Sequence, residues 1–181
     1  MSRVAYVNGS YVPHGEAAVH IEDRGYQFAD GVYEVCEVRG GRLVDETRHV
    51  DRLERSLKEL RIAMPMGRGP LGVVLRETVR RNRVRNGLVY LQVTRGVARR
   101  DHAFPKPGTP PALVVTAKSI DFAKNDALAA KGVKVISRPD NRWERVDIKS
   151  VGLLPNCLAK QAAREAGAYE AWLVDDEGYV T

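Results

Sequence analysis

Hydrophobic positions recur along this chain in two rhythms. Period-two alternation marks Val4 to Val7 and Tyr11 to Pro13, joined by an Asn8-Gly9 turn that signals a hairpin. It returns from Val32 to Val38, read as Val-Tyr-Glu-Val-Cys-Glu-Val, ahead of Gly40-Gly41 and Arg42-Leu43-Val44. Alternation puts Val32, Glu34, Cys36 and Val38 on one face and Tyr33, Val35 and Glu37 on the other. One strand can therefore serve a core and a pocket. Leu88 to Thr94 and Ala112 to Thr116 are further β-rich runs, separated by a loop holding Pro105, Pro107, Pro110 and Pro111.

Helical spacing appears between them. Val50, Leu53, Leu57 and Leu60 recur at three and four residues, while Asp51 with Arg55 and Glu54 with Lys58 fall four apart on the wet face. A second helix begins near Pro70, with Leu71, Val74, Leu75, Thr78 and Val79 inward. The stretch from Lys118 to Asn125 reads as polar connection and predicts a boundary: an N-terminal unit over 1–118, a linker over 119–124 and a second unit over 125–181. Beyond it come a strand from Val133 to Ser137, a helix capped by Asn156 and running through Ala162 to Gly167, and a strand from Glu170 to Val174. Asp175-Asp176-Glu177-Gly178 then turns the chain into what reads as a hairpin cut short, so the second unit is expected to be incomplete at Thr181. The mixture predicts an α+β fold.

Composition narrows the function classes. The 181 residues are 44% hydrophobic and 29% charged, as in ordinary globular proteins. No transmembrane run and no apolar signal-peptide core are present in the sequence, so the expected compartment is the cytoplasm, without membrane partners. Cys36 and Cys157 stand far apart and the four His are scattered, which predicts two buried thiols and neither a disulfide framework nor a metal site. The net charge of +6 rests on 21 Arg against 8 Lys. Arginines from Arg76 to Arg100 read better as a solvated helix face than as a nucleic-acid patch, since no recognition helix or RNP-type strand accompanies them.

Gly67-Arg68-Gly69-Pro70-Leu71-Gly72 matches G-x-G-x-x-G, but it follows an amphipathic helix and contains proline, so a helix-connecting loop explains it better than a dinucleotide site. Lys149 lies in Asp147-Ile148-Lys149-Ser150, with Val151, Leu153 and Leu154 nearby; apolar surroundings can depress an amine's pKa and make it a nucleophile toward aldehydes. Arg100 and His102, two apart in an extended loop, can project to one side and grip a carboxylate, although spacing alone favours an ordinary surface loop. On spacing alone Tyr33, Arg52, Arg24 and Asp30 read as a packed strand residue, a helix-surface charge and turn residues.

Taken in order, Glu22-Asp23-Arg24-Gly25-Tyr26-Gln27-Phe28-Ala29-Asp30-Gly31-Val32-Tyr33-Glu34, His49-Val50-Asp51-Arg52-Leu53, Gln92-Val93-Thr94-Arg95-Gly96 and Asp147-Ile148-Lys149-Ser150 resemble fold-type IV pyridoxal phosphate enzymes, and within them D-amino-acid aminotransferases. The resemblance runs from the first hairpin to Thr181. It implies an N-terminal two-layer α/β sandwich followed by an incomplete C-terminal barrel-like α/β domain that carries the lysine. Pyridoxal 5'-phosphate is the implied cofactor, with Lys149 as its Schiff-base lysine and proton shuttle and Arg52 as holder of its phosphate. Tyr33, Arg100 and His102 match the trap for the substrate α-carboxylate, the Arg-x-His pair reaching across a homodimer interface into a shared active site. Arg142 matches a position near the cofactor and receives no role. The implied reaction is ping-pong transfer of an amino group from a D-amino acid such as D-alanine or D-glutamate to a 2-oxo acid such as 2-oxoglutarate. In the family the chain continues past the segment that ends here, with a glutamate for the pyridine nitrogen and further phosphate-binding loops. Alternatives of the same fold are a branched-chain L-amino-acid aminotransferase and an aminodeoxychorismate lyase; a catalytically silent chain or a basic binding module represents another class.

Overall fold

The Asn8-Gly9 turn closes the first hairpin of the computed structural model, which describes residues 3–181. Both turn residues have positive φ, 44° at Asn8 and 103° at Gly9, the geometry that follows the twist of the flanking strands and that glycine takes without strain. It joins β1 (Val4–Val7) to β2 (Ser10–Pro13). There follow α1 (Arg24–Phe28), β3 (Gly31–Arg39), β4 (Arg42–Leu43), α2 (Glu46–Glu59), α3 (Arg68–Arg81), β5 (Gly87–Thr94) and β6 (Ala112–Ser119). The strands form one antiparallel sheet in the order β2-β1-β6-β5-β3-β4.

Period-two burial sets the two faces of this sheet. Val32, Glu34, Cys36 and Val38 of β3 and Val89, Leu91 and Val93 of β5 are buried. Val50, Leu53 and Leu57 of α2 and Leu71, Val74, Leu75 and Val79 of α3 join them in one core, α2 lying on β3 and α3 on β6, β1 and β5. Fully burying each such aliphatic side chain contributes about 1.5–3 kcal/mol, which is what holds the helical layer to the sheet. The opposite face, with Tyr33, Val35, Tyr90 and Thr116, stays partly open. This is the expected two-layer α+β arrangement.

The arginine-rich stretch is largely a solvated surface, as its pattern predicts, with Arg95 the exception. Arg76 pairs with Glu46, Arg80 and Arg81 pair with Glu77, and Arg95 is buried. The G-x-G-x-x-G run is not a loop between helices: Gly67 is the N-cap of α3 and Arg68 to Gly72 form its first turn, with α2 and no strand before it. Cys157 is exposed whereas Cys36 is buried, which corrects the expectation of two buried thiols. No helix among the described residues is long and apolar enough to cross a membrane.

The chain divides into two compact units, the first extending to Asp121 and including Asp147–Val151, the second comprising Phe122–Val146 and Gly152–Thr181. The sequence pattern predicts a single boundary at 119–124, with Lys149 in the second unit. Instead Asp147–Val151 returns to the first, because Ile148 is 4% exposed in its core and the segment hydrogen-bonds along β3. In the second unit β7 (Val135–Pro139) and β8 (Glu170–Val174) pair in parallel, with α4 (Phe122–Lys131) and α5 (Leu154–Glu165). Val180 bridges back to Val174 after the Asp175-Gly178 turn.

Three local readings differ from the structure. α1 starts at Arg24, which the sequence pattern places among turn residues; it is too short for periodicity, yet Asp23 caps it by accepting from the Gly25 and Tyr26 amides. α4 begins within the stretch that reads as polar connection and runs on to Lys131; it buries no residue and so carries no stripe. α5 starts at Leu154, not after Asn156, because Pro155 sits in its first turn where a missing N–H is harmless.

Candidate active site

Asp147–Val151 completes an otherwise open edge of β3. The Tyr33 amide donates to the Lys149 carbonyl (3.0 Å), the Val151 amide donates to the Gly31 carbonyl (3.1 Å), and Val32 bridges to Ser150. Arg55 of α2 holds the start of the segment, donating to the Asp147 carboxylate at 3.1 Å and also to its carbonyl. Ile148 points into the core, and Lys149, next in an extended segment, is left half-buried on the open face. Its Nζ lies 4.3 Å from the centre of the Tyr33 ring, within reach of a cation–π interaction. Tyr33 in turn stacks on Tyr90 at 5.6 Å. Burial, with Tyr33 next, pushes the Tyr90 hydroxyl up to about 12, and that hydroxyl donates to Gln92 Oε1 at 2.7 Å. Beside Tyr90 a hollow of about 270 Å³ is lined by Val35, Leu88 and Thr116. Of the apolar residues flanking Lys149 in the sequence, Ile148 is buried, whereas Leu153 and Leu154 are 38% and 70% exposed.

The next residue along β3 faces the helices. Glu34 is fully buried, an acid on the core side of the alternation. Arg52 Nε donates to Glu34 Oε1 (2.6 Å), Arg52 Nη2 to Oε2 (2.7 Å), and His49 Nδ1 donates to Oε2 (2.8 Å). Bidentate pairing of this kind is among the stronger hydrogen-bonding arrangements. The bond to Glu34 raises the pKa of Arg52, whose side chain remains 45% exposed. A cation locked on one edge and open on the other is suited to an anionic group from outside the fold.

Arg100 and His102 meet on a third surface. The Arg100 guanidinium lies 4.8 Å from the centre of the Phe28 ring and the His102 ring 5.5 Å from it. Arg24 and Asp30, read from sequence as turn residues, prove to be a buried ion pair at 2.8 Å. Asp30 also receives Arg95 Nε (2.7 Å) and Nη2 (2.9 Å). Burial would raise the Asp30 pKa, but the hydrogen bonds from Arg95 and Arg24 outweigh it and hold the carboxyl below its ordinary value.

Thus the structure brings Tyr33 to Lys149, Arg52 to Glu34 on the neighbouring strand position, and Arg100 to His102. No hydrogen bond or ring contact joins Arg100 or His102 to Lys149 among the described residues. Arg142, in the second unit, is held by Asp140 (2.6 Å) and by the Thr181 hydroxyl (3.0 Å). Glu34, His49 and Phe28 were missed as site residues. A charged residue among the buried positions of an alternating strand was the available signal for Glu34.

Residues 31–181 match the amino-transferase class IV family. The D-alanine aminotransferase of Bacillus licheniformis is 44% identical over 174 residues, covering 96% of this chain and 60% of that protein. The D-alanine aminotransferase of Staphylococcus haemolyticus is 40% identical over 166 residues, covering 92% and 58%. The chain therefore spans about three fifths of the length of these curated relatives. Among solved structures, the T.th. branched-chain amino acid aminotransferase with pyridoxamine 5'-phosphate has a TM-score of 0.84 at 26% identity, covering 100% of this chain and 62% of that one. The Escherichia coli branched-chain enzyme, at 19% identity and the same TM-score of 0.84, shares the fold. A lysine laid along β3, the match from the start of that strand onward and these identities lead to one assignment: the chain belongs to the class IV amino-transferases.

Proposed function

We propose that this chain carries the lysine and phosphate-holding part of a pyridoxal phosphate-dependent transaminase that moves an amino group from a D-amino acid, such as D-alanine or D-glutamate, to a 2-oxo acid such as 2-oxoglutarate. The observation that carries the reading is Lys149 on the edge of β3 with its Nζ over the Tyr33 ring. Identity to D-alanine aminotransferases supports the D-amino-acid class. The residues fit the cofactor: Lys149 offers a half-buried primary amine, and Arg52 offers a guanidinium fixed by Glu34 on one edge and open to a phosphate on the other.

When bound, pyridoxal 5'-phosphate supplies an electron sink for charge developing at the substrate α-carbon. The protein's own residues do the rest. Lys149 Nζ accepts the α-proton and returns it one carbon away, a general acid–base role that demands a mobile amine held near both carbons. Arg52 anchors the phosphate. Tyr33, Arg100 and His102 grip the α-carboxylate, and holding it on one side determines which α-bond faces Lys149 and so which enantiomer reacts. A 2-oxo acid presents the same carboxylate beside its carbonyl, so one grip serves both half-reactions and the scheme is ping-pong. The protein works in the cytoplasm as a homodimer with Arg100 and His102 reaching the partner's site.

The test is a visible spectrum with pyridoxal phosphate before and after D-alanine or L-alanine. A visible band that disappears in Lys149→Ala and bleaches with D-alanine alone supports the reading. Bleaching with L-amino acids alone transfers it to the branched-chain reading, which the similarity in fold to a branched-chain amino acid aminotransferase favours. A band unaffected by Lys149→Ala overturns the lysine assignment.

A further inference from the structure

Arg24 is 3% exposed, and its guanidinium is spent mostly on backbone. Besides Nε to Asp30 Oδ2 (2.8 Å), Nη1 donates to the carbonyls of Asp101 (2.6 Å) and Ala103 (3.3 Å), and Nη2 donates to the carbonyl of His102 (3.4 Å). Three consecutive carbonyls thus converge on one buried cation. They belong to the loop that carries Arg100 and His102, and these two side chains rest on Phe28, one turn further along α1.

α1 is itself tied down. Asp23 caps it and accepts the Thr94 hydroxyl (2.8 Å) through its second oxygen. Asp30 is shared with Arg95, which reaches the carbonyls of Leu60 (2.7 Å) and Arg61 (3.0 Å) beyond α2. The loop is exposed and makes little core of its own, so its order comes from this clamp.

We propose that Arg24 is a positioning residue for substrate recognition: it fixes the backbone of residues 101–103 so that Arg100 and His102 stand as a preformed carboxylate grip on the Phe28 ring. The inference rests on the grip assigned above to those two side chains. Loop ordering is then achieved on folding, and the substrate does not bear it. The task requires arginine, since a planar fork can serve several carbonyls and a carboxylate together whereas an ammonium is a point donor on a flexible stem.

The experiment compares Arg24→Lys, Phe28→Leu and Arg100→Ala with the parent protein, loaded with pyridoxal phosphate, by amide hydrogen exchange and by kinetics with D-alanine and 2-oxoglutarate. In Arg24→Lys, amides of residues 101–104 should exchange at least about tenfold faster while β3 and β5 keep their protection, a local loosening that general unfolding would not produce. KM for both substrates should rise about tenfold with kcat within about twofold, the pattern of lost binding and not of lost chemistry. Phe28→Leu should shift KM in the same direction and keeps the test open if Arg24→Lys does not fold. The inference is overturned if the loop amides are unchanged, or if they loosen while KM stays fixed in both variants although Arg100→Ala raises it. An Arg100→Ala protein with unaltered KM overturns the grip itself, and the exchange data then decide separately whether Arg24 holds the loop.

Discussion

Arg52 and Glu34 offer a perturbation whose sign can be worked out in advance. The Glu34 side chain is 1% exposed and takes three donors, two from Arg52 and one from His49, whereas the Arg52 side chain is 45% exposed. The two ends of the pair are therefore unequal. Arg52→Ala leaves a carboxylate in the core with His49 as its remaining side-chain donor. Orphaning one member of a buried pair costs about 3–5 kcal/mol, and the surviving His49 contact places this variant near 3 kcal/mol. Glu34→Gln keeps the shape and one good acceptor, and it strands only a guanidinium that water can reach, so about 1–2 kcal/mol is expected. Combining them removes the orphaned charge. The double variant should then be more stable than Arg52→Ala alone by about 1 kcal/mol, a failure of additivity whose sign is diagnostic. Urea unfolding at neutral pH without pyridoxal phosphate measures all three, because a ligand held by Arg52 would otherwise add its own linkage. A double variant destabilised by the sum of the singles, or an Arg52→Ala protein more stable than Glu34→Gln, would refute the reasoning.

The remaining predictions concern titrating groups. Burial, then Glu34 and Glu46, pushes the Cys36 thiol up to about 12, while Cys157 is exposed. The native protein at pH 8 should give one thiol reacting rapidly with a disulfide reagent and a second only on unfolding; two rapid thiols would contradict the buried site. Because the folded value lies above the unfolded one of about 8.5, this stabilisation is complete below pH 8.5 and is lost as pH rises toward 12. Asp30 has the opposite sign. Its folded pKa is lowered, so its contribution is complete above about pH 4 and fades as pH falls through the lower folded value. Urea unfolding between pH 2 and pH 5 should show a shallower acid limb in Asp30→Asn, and an unchanged limb would mean that the two arginines do not stabilise the charge.

Much of the fold was legible in the residues themselves. The two-period run of β3 and the stripe of Val50, Leu53 and Leu57 announce a strand and a helix because burying one face imposes the element's own period on the sequence. α4 escaped because it buries nothing, and α1 because five residues hold barely one turn; an Asp23 cap was the only local sign of the latter. Lys149, Arg52, Tyr33, Arg100 and His102 could be named as candidates from motifs, but their neighbours could not.

Those neighbours belong to the tertiary structure. Arg24 meets the Asp101 carbonyl across 77 positions, and Arg52 meets Glu34 across 18. Neither separation leaves a periodic trace. Lys149 shows the same division: its motif marks it as a candidate, yet only the return of Asp147–Val151 to β3 puts its amine over Tyr33 and its carbonyl on the Tyr33 amide. Sequence determined the strands, the helices that bury a face and the chemical types of the candidate residues, since these depend on side chains a few residues apart. Which buried charge finds which partner depends on elements distant in the chain packing together, and only the folded core decides that.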